Sequence, residues 1–184
     1  MDVHSKRVRS FNMSRIRGKD TKPEFLVRRL CHRNGFRYRL HNKALPGKPD
    51  LTFSQYKAVI QVNGCFWHKH LCYLFKWPAT RRDFWEAKIN RTAALDASNR
   101  EALESDGWRV LTVWECAVKG KYRLAEEDLE ARILDWLRNG IASESIGGFQ
   151  WQEDTDPVRP TLQAAEPNSL YSPSRSKSSS LTGK

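Results

Sequence analysis

The chain has 184 residues, which is enough for one domain with its own core and too short for a second full domain. Its net charge is +11, and the excess lies in residues 1–140, which hold 28 Lys and Arg against 16 Asp and Glu. This charge favours a polyanionic partner such as nucleic acid, and a basic surface that serves only solubility is the alternative. No apolar run approaches the roughly 18 residues of a membrane span, and no signal peptide is predicted, so we expect a cytoplasmic protein.

The first twenty residues are polar and basic and lack a sustained apolar period. Basic charge is densest at this end, since residues 1–39 carry 12 basic and 3 acidic side chains. We therefore interpret residues 1–20 as a basic arm outside the core, which becomes ordered on a partner. Its arginines would contact a nucleic-acid backbone or groove with an affinity that falls steeply with salt. They include Arg7, Arg9, Arg15 and Arg17.

The first predicted helix follows this arm. Thr21 and Glu24 form a capping-box pattern with a proline in the first turn, which predicts a helix over residues 22–33 that ends at Asn34 and Gly35. Strands are predicted over residues 36–40, 51–53 and 56–62. The rigid Pro- and Gly-containing turn before the second strand places Asp50 at its beginning.

The second half of the chain contains two further helices and a strand. Thr80 and Asp83 indicate the start of a long, mostly solvated helix that ends near Ser105. A buried strand over residues 108–114 and an amphipathic helix over residues 123–138 follow. The order of elements predicts an α/β fold with a mixed sheet flanked by helices. Residues 141–184 are rich in Ser, Pro, Gly and Gln and are predicted to be a disordered tail, which leaves residues 21–140 as the folded domain.

Three potential metal ligands lie within eight residues. Cys65, His70 and Cys72 have the spacing Cys-x4-His-x-Cys, and Cys116 would complete a set of four after 43 intervening residues. Thiolates and imidazole together favour zinc, and a site with four protein ligands is structural because no position is left for water. We therefore predict that a zinc ion fastens the loop after one strand to the end of a distant strand.

Other assignments of these side chains are possible. His68 or His32 could take the place of His70 as the fourth ligand, and the cysteines could simply be three buried thiols beside solvated histidines. Cys31 lies on the apolar side of the first helix and is predicted to be a small buried side chain.

Asp50 is the second candidate for metal binding. It begins a strand, and the next strand ends at Gln61, Val62 and Asn63. A carboxylate at the edge of a sheet beside a neighbouring strand end is an arrangement with which nucleases hold Mg²⁺ against a phosphate. By itself a Pro-Asp pair is more often a turn than a site.

Several motifs together resemble one enzyme family. They are Pro46-Gly47-Lys48-Pro49-Asp50, the run from Val62 to His70, Cys72-Tyr73, Pro78-Ala79-Thr80-Arg81, Phe84-Trp85 with Lys88, Gly107-Trp108-Arg109-Val110 and Trp114-Glu115-Cys116. These residues closely resemble the very short patch repair (Vsr) endonucleases, over about residues 4–138. The resemblance implies a restriction-endonuclease-like, PD-(D/E)xK-related fold with a structural zinc, and Mg²⁺-dependent nicking of duplex DNA. It implies cleavage 5′ to the thymine of a T:G mismatch left by deamination of 5-methylcytosine.

The resemblance also implies roles for individual residues. Asp50 matches the metal-binding carboxylate, and the backbone carbonyl of Val62 matches a second Mg²⁺ ligand. His68 matches the catalytic histidine, and Glu24 matches an acidic residue that orients its ring or a metal-bound water. The zinc set matches Cys65, His70, Cys72 and Cys116. Phe66, Trp67 and Trp85 match aromatic side chains that wedge into the DNA stack.

Asn63 departs from this pattern. A described member of the family has a second active-site histidine at its place. An amide can hold a phosphate oxygen or a water, but it cannot usefully accept a proton near neutral pH. The role of general base would then fall on His68 or on metal-bound hydroxide. The alternative for His68 is a histidine beside the zinc site whose hydrogen bonds are satisfied and which has no catalytic role.

The resemblance implies double-stranded DNA with a T:G mismatch as the substrate and a MutL-type repair protein as a partner. We expect a monomer in the bacterial cytoplasm, associated with the nucleoid. Lys88 is a candidate for phosphate contact, although a solvated helix face explains it equally well. The alternative function is a non-catalytic, zinc-stabilised module that binds mismatched DNA, and a restriction enzyme of unmismatched sites is a third hypothesis.

Overall fold

A five-stranded mixed sheet organises the part of the chain that the computed structural model describes, which comprises residues 7, 8, 11 and 18–148. The strands are Arg39–Leu40 (β1), Leu51–Phe53 (β2), Ala58–Asn63 (β3), Arg109–Trp114 (β4) and Glu144–Ile146 (β5). They are ordered β1-β2-β3-β4-β5 in the sheet. The pairs β1–β2 and β2–β3 are antiparallel, whereas the pairs β3–β4 and β4–β5 are parallel. The predicted mixed sheet flanked by helices is confirmed.

Helices connect the parallel strands. The helices are Lys22–Arg33 (α1), Arg82–Ser105 (α2), Glu115–Val118 (α3) and Glu126–Asn139 (α4), with a 3₁₀ turn at Ser54–Tyr56. Residues 7, 8 and 11 are also helical. The crossover from β3 to β4 contains α2, and the crossover from β4 to β5 contains α4, as parallel pairing requires. Within the described residues, no helix combines the length and the apolar character that crossing a membrane requires.

The first helix begins and ends where its sequence pattern predicts. The Thr21 hydroxyl accepts a hydrogen bond from the backbone N–H of Glu24 at 3.4 Å, and the Glu24 carboxylate accepts one from the backbone N–H of Thr21 at 3.3 Å. This reciprocal capping box satisfies two N–H groups that an uncapped helix leaves without partners. Asn34 caps the other end, and Gly35 follows it with a positive φ of +83°.

Several predicted boundaries were wrong by one to three residues. The strand predicted over residues 56–62 is Ala58–Asn63, because Ser54–Tyr56 forms the 3₁₀ turn, and α4 begins at Glu126 rather than at residue 123. The strand predicted over residues 36–40 is reduced to Arg39–Leu40, because Phe36 is buried in the core and its ring packs against those of Phe53 and Tyr56. The long helix begins at Arg82 after Arg81, which adopts a left-handed conformation with φ +51°. Packing of an aromatic ring therefore overrides the alternating pattern of a short strand.

The two faces of the sheet are covered by different helices. Successive strand residues point to opposite faces, and accordingly Ile60 and Leu111 pack in the main core with α1 and α4, whereas Val59 and Val110 pack with Leu103 of α2. Beside the main core, ion pairs join arginines of α1 to glutamates of α4 at the surface. The sheet is therefore buried on both sides, and its functional groups are found at the strand ends.

The predicted boundary at residue 140 is corrected by the last strand. β5 pairs in parallel with β4, with Leu111 opposite Glu144 and Val113 opposite Ile146, and Ile146 is only 4% exposed. The sheet thus extends into the segment that was predicted to be a disordered tail. The rest of that predicted tail, residues 149–184, lies outside the described residues.

Candidate active site and metal centre

A cleft of about 380 Å³ opens at the end of β3. Its lining includes Glu24, His41, Asp50, Val62, Asn63, His68 and Asp96. Asp50 directly precedes β2, and antiparallel pairing of β2 with β3 brings its Oδ2 atom to 2.8 Å from the backbone N–H of Val62, which donates to it. Because the N–H and C=O of one strand residue face the same neighbour, the Val62 carbonyl is directed to the same side as Asp50. The two groups predicted to hold Mg²⁺ are therefore together.

The carboxylate of Asp50 is only partly exposed, with 21% of its side chain accessible to solvent. Burial raises its pKa above the ordinary value, and the hydrogen bond from Val62 opposes this effect only in part. The nearby carboxylate of Glu24 raises the pKa further. A cation bound at Asp50 would compensate this charge, and oxygen ligands of this kind are what Mg²⁺ prefers. The residues present fit the metal that the resemblance implies.

His68 forms a pair with a residue of α2. Its Nδ1 atom lies 2.6 Å from Oδ2 of Asp96, and both side chains are about one-third exposed. A carboxylate at this distance keeps the hydrogen on Nδ1, which leaves Nε2 as the hydrogen-bond acceptor. The cleft therefore contains an imidazole whose tautomer is set by a carboxylate.

Glu24 does not orient the ring of His68, in contrast to one of the two roles predicted for it. Its carboxylate accepts hydrogen bonds from Thr21, from the backbone of Asp20 and, at 2.7 Å, from Arg28. These bonds make it part of the α1 cap, and only 3% of the residue is exposed. The other predicted role, contact with a metal-bound water, stays a prediction because Glu24 lines the cleft.

The four predicted zinc ligands meet in one cluster. Their ligand atoms lie within 4.8 Å of one another, and His70 Nδ1 is 3.4 Å from Sγ of Cys65 and 3.5 Å from Sγ of Cys116. Zinc with Zn–S of 2.3 Å and Zn–N of about 2.05 Å in tetrahedral geometry places sulfur and nitrogen about 3.6 Å apart. The set, Cys65, His70, Cys72 and Cys116, therefore fits a zinc ion.

The surroundings of the cluster support a buried metal. The three cysteines are at most 4% exposed, and the His70 ring stacks on Trp114 with centroids 4.2 Å apart. The neighbouring Cys65 thiol, followed by His70 and the backbone N–H of Gly148, lowers the pKa of Cys116 below its ordinary value. A buried thiolate favours a bound cation. Cys31, by contrast, lies in the main core, as predicted, and burial raises the pKa of its thiol to about 12.

Aromatic side chains form a half-buried cluster beside the cleft. Phe66, Trp67 and Trp85 contact one another with ring centroids 5.1 to 6.0 Å apart, and the ammonium of Lys88 lies 5.3 and 5.4 Å from the two indole rings. The rings retain solvent exposure, so they are not part of the main core. Backbone bonds from His68 to Gly64 and from His70 to Cys65 fold the loop that carries Phe66 and Trp67.

Comparison with known proteins identifies the family. The family described as DNA mismatch endonuclease Vsr matches residues 1–74. The DNA mismatch endonuclease Vsr of Escherichia coli strain K12 is 43% identical over 145 residues, which cover 79% of this chain and 93% of that protein. The chain belongs to the Vsr family of DNA mismatch endonucleases. It is therefore an endonuclease that acts on DNA, and the enzymatic function predicted from the sequence is confirmed.

Other relatives are nicking enzymes. The type II nicking enzyme V.XorIIP of Xanthomonas oryzae pv. oryzae is 45% identical over 108 residues, 59% of this chain and 79% of that protein. V.NmeAIP of Neisseria meningitidis serogroup A is 43% identical over 120 residues, 65% of this chain and 86% of that protein. The catalytic domain of the homing endonuclease I-Bth0305I covers 67% of this chain and is itself covered completely, at 19% identity and a TM-score of 0.44.

The structure of this Vsr-family chain adds residues that sequence reasoning missed. Asp96 is an acid in the middle of a polar helix, and His41 and Arg28 lie in unrelated segments, so nothing in the local pattern marked them. Of the arm residues predicted to bind DNA, Arg7 is exposed, whereas Arg9, Arg15 and Arg17 lie outside the described residues.

Proposed function

We propose that this Vsr-family endonuclease nicks duplex DNA 5′ to the thymine of a T:G mismatch left by deamination of 5-methylcytosine, with Mg²⁺ as its cofactor. The observation that carries this proposal is the cleft in which the half-buried Asp50 carboxylate, the Val62 backbone and the His68 and Asp96 pair converge. Asp50 and the Val62 carbonyl would hold Mg²⁺, which supplies charge neutralisation on the scissile phosphate.

His68 is the proposed general base. With its hydrogen on Nδ1 and directed at Asp96, the Nε2 atom is left to take a proton from the water that attacks phosphorus. Asp96 then stabilises the imidazolium that forms, because its Oδ2 atom is only 2.6 Å from Nδ1 of His68. Asn63 lines the same cleft and is proposed to hold a phosphate oxygen or the water through its amide.

A structural zinc is proposed for the cysteine and histidine cluster. Four protein ligands fill a tetrahedral set, so the ion would stabilise the loop rather than take part in hydrolysis. The loop between Cys65 and Cys72 carries both His68 and the wedge residues Phe66 and Trp67. A zinc ion at the cluster would hold the catalytic histidine and the aromatic rings in a fixed relation.

Mismatch recognition is assigned to the aromatic cluster. Side chains that insert between base pairs work against stacking at a cost of a few kcal/mol per step, and this cost is smaller at a wobble pair. Phe66, Trp67 and Trp85 are the proposed wedge, with Lys88 and Arg7 near phosphates. Contact with a MutL-type protein, action as a monomer and residence in the bacterial cytoplasm at the nucleoid are further parts of this proposal.

A nicking assay tests the proposal. A duplex labelled on one strand and containing a T:G mismatch is incubated with the protein and Mg²⁺, beside the same duplex with a T:A pair. We expect one nick 5′ to the mismatched thymine and none in the paired duplex. Equal cleavage of both duplexes would refute mismatch specificity, and binding without cleavage at any Mg²⁺ concentration would support a non-catalytic module instead.

A further inference from the structure

His41 lies between an arginine and the proposed metal-binding carboxylate. It directly follows β1, and its backbone N–H donates to the backbone carbonyl of Asp50 at 3.2 Å. Its ring Nε2 is 2.9 Å from Nη2 of Arg28, and its ring Nδ1 is 3.5 Å from Oδ1 of Asp50. The side chain is 29% exposed and lines the cleft. Neither the proposed metal ligands nor the proposed general base include this imidazole.

Arg28 determines which ring nitrogen of His41 carries hydrogen. A guanidinium has only donors, so the ring nitrogen that faces it at 2.9 Å must be an acceptor. The neutral ring therefore carries its hydrogen on Nδ1. Asp20 and Glu24 lie 3.8 and 3.9 Å from Nε2, but Arg28 donates to both at 2.6 and 2.7 Å and stands closer to the ring than either.

The same contacts argue against a second metal at this place. Potential ligand atoms of Asp20, Glu24 and His41 lie within 4.8 Å of one another. The guanidinium of Arg28 already supplies the positive charge that these groups share, and its donors point at all three. With hydrogen on Nδ1, His41 also has no lone pair to offer a metal on the side of Asp50. The ring presents a donor there instead.

We propose that His41 is a positioning residue for Asp50, held by Arg28, and that its Nδ1–H faces Oδ1 of the carboxylate while the Val62 N–H holds Oδ2. This inference rests on the proposed function, since it concerns the carboxylate that would bind Mg²⁺. The Val62 N–H holds one oxygen by a hydrogen bond of 2.8 Å, and the Nδ1–H, 3.5 Å from the other oxygen, makes a longer electrostatic contact. Together they favour one plane of the carboxylate, and each oxygen keeps a further lone pair for a metal ion. Second partners of this kind commonly contribute 10- to 100-fold to metal affinity.

The backbone of His41 determines which substitutions give a clean test. Its φ of +45° is left-handed, a conformation that glycine and asparagine adopt readily and that most other residues adopt only with strain. His41→Gly removes the ring without strain. His41→Asn keeps an amide donor near the position of Nδ1. Lys57→Gly is the matched control, because Lys57 has a φ of +47° and lies outside the cleft lining.

The measurement is Mn²⁺ binding, followed by the electron paramagnetic resonance signal of free Mn²⁺. Each variant is bound to a duplex that is already nicked at the expected position, so that no turnover occurs. We expect His41→Gly to weaken binding about 10- to 100-fold, and His41→Asn and Lys57→Gly to stay close to the parent protein. The Mg²⁺ concentration for half-maximal nicking should rise by a similar factor in His41→Gly, with the rate restored at saturating Mg²⁺.

Asp50→Asn separates failure of this inference from failure of the proposed function. If Asp50→Asn binds Mn²⁺ as tightly as the parent, the metal site itself is wrong and the role of His41 falls with it. If Asp50→Asn loses binding while His41→Gly matches Lys57→Gly, only the role of His41 is overturned. Equal weakening in His41→Asn and His41→Gly would also overturn it, because a donor at Nδ1 would then make no difference.

Discussion

The cleft around Asp50 and the cysteine cluster both include residues of the loop from Cys65 to Cys72. They differ in how their charged and polar groups are satisfied. In the cleft, the carboxylates of Glu24, Asp50 and Asp96 already have protein partners, and these groups come from α1, the segment before β2 and α2. In the cluster, three buried thiols and one imidazole mainly face one another. One region therefore keeps a carboxylate available to a ligand, whereas the other is expected to depend on a bound ion for its stability.

The largest effect is expected from Asp50→Asn. Loss of the carboxylate removes the metal's transition-state stabilisation of several kcal/mol, which corresponds to a decrease of about 1000-fold or more in the single-turnover nicking rate. Circular dichroism should show an unchanged fold. A nicking rate within tenfold of the parent would show that the cleft is not where hydrolysis occurs.

Removal of zinc should instead affect the fold. If the cluster holds zinc as proposed, Cys116→Ser, or treatment with a strong chelator, is expected to lower the free energy of unfolding by several kcal/mol, because a structural zinc contributes its binding energy to folding. Denaturant unfolding measures this change, and mass spectrometry under native conditions counts the bound ion. If a protein shown to be zinc-free had the same free energy of unfolding as the parent, the cysteine cluster would not depend on an ion, and the contrast with the cleft would be wrong.

Asp96→Asn should produce a smaller loss. The amide cannot stabilise an imidazolium as a carboxylate does, so we expect the nicking rate to fall about 100-fold, at the lower end of what a general base contributes. Affinity for the mismatched duplex should not change. A gel-shift titration beside the rate measurement distinguishes this result from a general loss of structure, which would weaken both.

The smallest expected effect is on how the free energy of unfolding changes with pH, measured without added Mg²⁺. Burial raises the pKa of Asp50 above its ordinary 3.8, so the folded protein holds this proton more tightly than the unfolded chain does. The resulting stabilisation is complete below pH 3.8 and is lost as the pH rises through the raised pKa. Asp50→Asn should lack this decline and be more stable than the parent at neutral pH. Parallel stability curves for the two proteins from pH 4 to 8 would contradict the assignment.

Local patterns predicted the fold well where they are strong. The capping box set the start of α1, the Gly107 turn and the β-forming run set β4, and the apolar period set α4 to within three residues. β5 escaped prediction because it has three residues, only one of them apolar, inside a segment of disorder-like composition. Its pairing is imposed by the edge of β4 rather than by its own sequence.

The candidate site divides in the same way. The clustering of the cysteines with His70 could be predicted because three of the four residues lie in one short run, and the position of Asp50 because a proline-rich turn places it at a strand. The contacts of His68 with Asp96, of His41 with Asp50 and of Arg28 with His41 could not, because these partners lie 28, 9 and 13 residues apart. Only the packed sheet and helices bring them together. The family resemblance supplied roles for residues within motifs and none for Asp96, His41 and Arg28.

The short strand β5 has a practical meaning for anyone who shortens this protein. Its backbone covers the outer edge of β4. Next to it, the Ser143 hydroxyl accepts a hydrogen bond from the backbone N–H of Val110, and the N–H of Gly148 donates to Sγ of Cys116 at 3.2 Å. Truncation at residue 140 would remove β5 and leave the apolar strand β4 at an open edge of the sheet. Such an edge can pair with the strand of another chain. We expect such a protein to aggregate, so a shortened protein should keep residues 141–148.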